Sequence, residues 1–258
     1  MGYAQVYDGW KNDPERFWLD QAKAIDWVKA PTMALDDSNA PLYRWFTDAE
    51  VNTCYNAVDR HVENGRGDQA AIIYDSPVTQ TKRQITYAEL QTRVASLAGA
   101  LRAKGIEKGD RVIIYMPMIP EALEAMLACA RLGAIHSVVF GGSAANELAV
   151  RIDDATPKAI IAGSCGIEPG RVVHYKPLLD GAIEMATHKP DFAVLWSRFC
   201  SPVVSMIGTA FWPVLILRIA CLAKAITRPT SFILLVRPVP LKALCAQLQA
   251  IWLHSIGP

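Results

Sequence analysis

No acidic residue occurs beyond Asp191. Residues 192–258 carry six basic side chains (Arg198, Arg218, Lys224, Arg228, Arg237, Lys242), whereas residues 1–191 hold all 25 Asp and Glu. At the density of that first part, the last stretch would contain about nine acids, so the two differ in origin. The formal net charge is only +1, which gives no reason to expect nucleic acid as a partner. The six cysteines form no C-x-x-C pair and no His stands at ligand spacing, which argues against zinc and for buried reduced thiols. The phosphate loop G-x-x-x-x-G-K-[ST] and the dinucleotide fingerprint G-x-G-x-x-G are both missing. The first 20 residues are aromatic and charged, unlike a signal peptide, and Val6 stands where myristoylation calls for Ser or Thr. A cytoplasmic location is expected. Residues 199–217 have no charge and the length of a membrane span, but Pro202, Gly208 and Pro213 interrupt them. Any membrane contact would run through this stretch, and the plainer expectation is an apolar extension without a selected fold.

What is present falls into three stretches. Residues 1–68 read as a partly helical lead-in, with Asp13-Pro14-Glu15 as a helix start running through ERFWLDQAKAIDWV. Trp10, Trp18, Trp27 and Trp45 are expected to dock this lead-in onto a body. In residues 69–191 strands and helices alternate: AAIIYD (70–75), a helix from Thr86 with a T-x-x-E capping box, and DRVIIYM (110–116). A helix from Pro120 to Gly133, AIHSVVF (134–140), ANELAVRIDDA, KAIIAG (158–163) and PLLDGAIEMATH (177–188) complete the series. Such alternation with short joins predicts an α/β fold, a parallel sheet covered by helices. Residues 192–258 form the divergent apolar, basic tail.

Two junctions could carry chemistry. Gly141-Gly142 stands between a strand and a helix, where bare backbone can approach an anion. A tight turn requires such glycines for purely structural reasons about as often. The segment EPGRVVHYK (168–176) is basic and contains a turn, and Arg171 could pair bidentately with a phosphate; an isolated surface Arg is more commonly just solvated. His61, His136 and His174 lack triad partners, and His136 reads as a core histidine. Spacing alone stops at an unfinished α/β domain that handles a nucleotide or cofactor.

The string GDRVIIYMPMIPEALEAMLACARLGAIHSVVFGG (109–142) resembles the short-chain acyl-CoA synthetases, the acetyl- and propionyl-CoA synthetases of the AMP-forming, adenylate-forming superfamily. NAVDRHVENGRGDQAAIIYDS (56–76), ITYAEL (85–90) and EPGRVVHYKPLLDGAIEMATHKPD (168–191) agree, and the last favours the propionyl branch. The likeness covers residues 1 to about 191, and stopping where the acids vanish suggests a truncated or frame-disrupted product. The resemblance implies the incomplete large N-terminal domain of an adenylate-forming enzyme. Its reaction joins a short carboxylate to ATP, giving acyl-adenylate and diphosphate, and CoA then releases AMP. By the same resemblance Glu168, Pro169, Gly170 and Arg171 match the loop along CoA, Arg171 a phosphate-binding arginine, and Gly142 a glycine beside the CoA adenine. Acetyl-type enzymes carry a second Arg where this chain has Glu168. The Ser/Thr/Gly-rich loop ending in Pro-Lys, the ribose aspartate and the C-terminal catalytic lysine are not found, so the ATP and magnesium sites of the intact family are not expected here. The expected chain is catalytically silent alone and binds CoA weakly if at all; the alternative is a non-catalytic CoA-binding or membrane-associated module.

Overall fold

The computed structural model describes residues 2–196, and the backbone of residues 214–216. Other expectations for the tail, including those for Cys200, Cys221 and Cys245, lie outside the described residues. The described residues fall into two units, parted between Ala57 and Val58.

The lead-in unit opens with helices α1 (Tyr3–Asn12) and α2 (Pro14–Ala22). Asp13 caps α2, accepting from Arg16 N at 3.0 Å, and Pro14 sits in the first turn, where its missing N–H costs nothing. The helix expected to reach Val28 stops at Ala22. The indole Nε1 of Trp27 donates to the Ala22 carbonyl at 2.7 Å, while Asp26 N donates to Asn56 Oδ1 at 2.9 Å. Those are the two groups that a continuing helix would have joined to each other. A short ladder, β1 (Leu35–Asp36) with β2 (Arg44–Trp45), follows. Trp18 meets Trp45 edge-on at 5.4 Å and Trp27 meets Phe46 at 5.5 Å, so these indoles pack within the lead-in itself.

The second unit begins with wide helical turns and an antiparallel hairpin, β3 (Ala70–Ser76) with β4 (Thr81–Thr86). The run AAIIYD is therefore a strand, but it stands outside the parallel sheet. Its partner TKRQIT is polar on its outward positions, so hydropathy alone did not mark it. Thr86 and Glu89 form the expected reciprocal cap of α3 (Tyr87–Ala103), which buries Leu90, Val94, Ala98 and Leu101.

Then come β5 (Arg111–Met116), α4 (Pro120–Leu132), β6 (Ile135–Phe140), α5 (Ala145–Ala155) and β7 (Ala159–Gly163). After β7 the chain makes a second hairpin, β8 (Cys165–Glu168) with β9 (Arg171–His174), before α6 (Tyr175–Met185) and β10 (Phe192–Trp196). The main sheet is parallel in the order β6, β5, β7, β10, and residues Val214–Ile216 pair beside β10 as β11. Part of the apolar run 199–217 is thus extended. Residues 192–196, grouped with the tail on composition, belong to the sheet; a buried strand has no use for acids.

Ile113, Tyr115, Val139 and Ile160 interlock with Leu148 and Ile152 of α5 and Leu179 and Ile183 of α6 on one face of the sheet. Residues β5 turns away from that face are buried as well, as its continuous apolar run predicted. Cys54 and Cys129 are buried, and burial pushes the Cys129 thiol up to about 12. Cys165 is buried and disulfide-bonded, against the expected reduced thiol. Among the described residues no helix is long and apolar enough to cross a membrane.

Candidate functional site

The sheet order places a topological switch between β5 and β7, because the chain leaves β5 for β6 on one side and returns to β7 on the other. Open parallel sheets bind ligands at the carboxyl ends beside such a switch. The segments following β6 and β7 are the two that carry the candidate residues.

Gly142 lies in the β6–α5 turn with φ +94°, a left-handed conformation that side-chain-bearing residues rarely take. Its neighbour Gly141 is required for space: a Cβ there would stand 2.7 Å from the Met116 carbonyl oxygen and 2.8 Å from Tyr175 Oη. The glycine pair thus has a structural duty independent of any ligand.

Glu168, Pro169, Gly170 and Arg171 form the tip of the β8–β9 hairpin. Pro169 followed by Gly170 at φ +77° is the residue pair that a type II turn demands. The hairpin tip faces Pro77 and Val78 from the β3–β4 turn across an open groove of about 690 Å³, completed by Ile167 and Val172. Its walls are largely apolar, with Arg171 and Glu168 at the rim. Arg171 is exposed, and its Nε donates to Glu168 Oε2 at 2.7 Å while Nη2 reaches the same oxygen at 2.7 Å. An anion at Arg171 would therefore compete with the Glu168 carboxylate.

The hairpin residues therefore come together, whereas Gly142 does not line their groove. Tyr175 connects the two places. It is the first residue of α6, buried, and its N–H donates to the Ser164 carbonyl at 3.0 Å. Its ring packs on Tyr115 at 5.1 Å, and Tyr115 Oη donates to the Ser143 carbonyl at 2.9 Å. Burial pushes the pKa of both phenols up, and for Tyr175 the charge of Glu168 adds to the rise. Sequence reasoning missed both tyrosines. The only signal was an aromatic in an otherwise aliphatic strand, and one beside a basic turn.

The histidines are less engaged. Burial lowers the pKa of His136 on β6, favouring the neutral ring. His61 packs on Tyr87 at 4.9 Å. Among the described residues, no group of three or more His, Cys, Asp or Glu side chains is placed to hold a metal ion.

Two family models match this chain. Residues 3–57 match the acetyl-coenzyme A synthetase N-terminus, and residues 58–194 match the AMP-binding enzyme model. The chain is similar to human acyl-CoA synthetase short-chain family member 3, mitochondrial, at 55% identity over 186 residues, 72% of this chain and 27% of the human protein. It is 43% identical over 208 residues to the propionate–CoA ligase of Escherichia coli K12, 81% of this chain and 33% of that one. For the corresponding ligase of Salmonella typhimurium the figures are 44% over 198 residues, 77% and 31%. The chain thus matches about a third or less of the length of these relatives. With a parallel α/β sheet, a helical lead-in and a model match across its second unit, the chain belongs to the AMP-binding enzyme family.

Proposed function

We propose that this chain is the CoA-facing part of a short-chain acyl-CoA ligase of the AMP-forming kind, and that by itself it does not complete the reaction. In that reaction a short carboxylate, propionate or acetate, attacks the α-phosphorus of ATP and displaces diphosphate. The CoA thiol then attacks the acyl carbonyl and AMP leaves. The names of the bacterial and mammalian relatives support the ligase reading, and the 168–191 segment with its propionyl-like sequence supports propionate.

The observation that carries the CoA assignment is the exposed Arg171 at the rim of an apolar groove, one segment away from the Gly142 turn. Arg171 would meet a CoA phosphate, Pro169 and Gly170 would fix the angle of the hairpin, and Gly142 would leave room for the adenine. The chain's own chemistry is confined to binding: no transferring phosphoryl group is stabilised by these residues. A phosphate must compete with Glu168 for Arg171, which reduces the gain from that charge-assisted contact without cancelling it. Affinity should therefore be no tighter than about millimolar. Titration of the full chain with CoA by NMR, beside Arg171→Ala, is the test. Arg171→Ala should weaken binding about tenfold or more, and a variant that binds as well as the parent sinks the assignment. A cytoplasmic place of work belongs to the same reading, and cell fractionation weighs it against the mitochondrial destination in the human relative's name.

A further inference from the structure

Four glycines converge on one aromatic ring. A Cβ on Gly141 would stand 2.8 Å from Tyr175 Oη, and one on Gly142 would stand 3.9 Å from the ring edge. A Cβ on Gly163 would meet Tyr175 Cδ2 at 3.7 Å. One on Gly166 would collide with Oη and come within 2.7 Å of Cζ. Gly141 and Gly142 belong to the turn after β6, while Gly166 belongs to β8, two residues before Glu168. The ring therefore fills the space between the backbones of the two segments that hold the candidate residues. The residue is itself held twice, by its backbone N–H on the Ser164 carbonyl and by the ring of Tyr115 packed at 5.1 Å.

We propose that Tyr175 is the positioning residue of the candidate CoA site, setting the separation between the Gly142 turn and the Glu168–Arg171 hairpin. This role rests on the CoA reading above. The ligand is a nucleotide with phosphate groups, long enough to touch both segments at once, and it binds best when their spacing is set beforehand. Tyr175 touches no part of that ligand; it acts through glycine backbones that have no side chain of their own to hold them.

The test uses the full chain, with CoA as the probe and the amide resonances of Gly142 and Gly170 as reporters. Tyr175→Leu removes the ring tip, and should shift both amides in the unliganded protein and weaken CoA binding about tenfold, by releasing Arg171 from its place. Tyr175→Phe keeps the ring against Gly166 and should recover most of that loss, which general destabilisation by either variant would not do. Gly166→Ala pushes the ring from the other side and should reproduce the Leu phenotype; it also serves if Tyr175→Leu fails to fold. Adding Leu at 175 to Gly166→Ala should cost little more, because the colliding atoms are gone. Gly142 and Gly170 amides unmoved in a folded Leu or Gly166→Ala variant overturn the proposal, as does parental CoA binding in both. Arg171→Ala separates the two ideas: CoA binding lost there but indifferent to position 175 removes the positioning role alone. A parent chain silent to CoA removes the ligand reading and, with it, this role.

Discussion

Two glutamates in the first turns of α4, Glu121 and Glu124, lie almost wholly out of water. Arg83 of β4 reaches Glu121 at 3.1 Å, and Arg93 of α3 reaches Glu124 at 2.7 Å, so each acid ties α4 to a different element. Burial raises the pKa of Glu124, and Arg93 only partly offsets it. Because the folded-state pKa is the higher one, the native protein takes up the proton first. The contribution of Glu124 is then fully present below the ordinary carboxylate pKa and falls away as pH rises through the raised value. Glu124→Gln should therefore be least stable relative to the parent in acid, and the gap should narrow toward neutral pH; thermal melts across about pH 4–7 check this. Arg93→Met should cost about 3 kcal/mol, low in the range for broken buried pairs because Arg93 is partly exposed. The double variant Arg93→Met with Glu124→Leu should recover much of that loss in urea unfolding. Such pairs could not be read from sequence, since Glu121 and Glu124 look like ordinary solvated helix charges until α3 is packed against them.

At the scale of elements, local chemistry carried most of the information. The Thr86 cap, with Glu89 N donating to Thr86 Oγ1 at 3.3 Å and Thr86 N to Glu89 Oε2 at 3.0 Å, was legible because both partners lie within one turn. Thr86→Ala should cost about 1 kcal/mol, seen as a lower urea midpoint with an unchanged slope. Pro120 and Gly133, at φ +75°, likewise bound α4 as expected. The β3–β4 and β8–β9 hairpins were harder. The apolar run AAIIYD announced β3, but β4, β8 and β9 are short and broken by Lys82, Arg83, Glu168 and Arg171, so no apolar run announces them. The end of α2 was missed for a different reason. Asn56, 30 residues away, takes the N–H that the helix needed.

At the scale of the whole molecule, the expected outcome is catalytic silence of this chain alone. On the proposed reading the phosphate loop and catalytic lysine of the intact family are not expected in this chain, and electrostatic stabilisation of the transferring group is usually the largest catalytic term. Propionate-dependent release of diphosphate from ATP, tested with the full chain and a heat-denatured control, should stay at background. Turnover above that control would reject the reading. The exposed apolar residues of edge strand β6, Ile135, Val138 and Phe140, should make the chain prone to self-association during such assays.

The sequence alone determined the α/β class, the strands β5, β6 and β7 and the start of α4, because hydrophobic period and turn chemistry are local properties. It also carried the family, through the unbroken string 109–142. Tertiary structure alone decided that Glu168 holds Arg171, that Gly142 and the hairpin tip do not share one groove, and that Tyr175 stands between them. The first is a contact across the hairpin tip between residues three apart. The other two depend on the distance between segments more than 20 residues apart in the chain, fixed only when the parallel sheet brings the ends of β6 and β7 to the same edge.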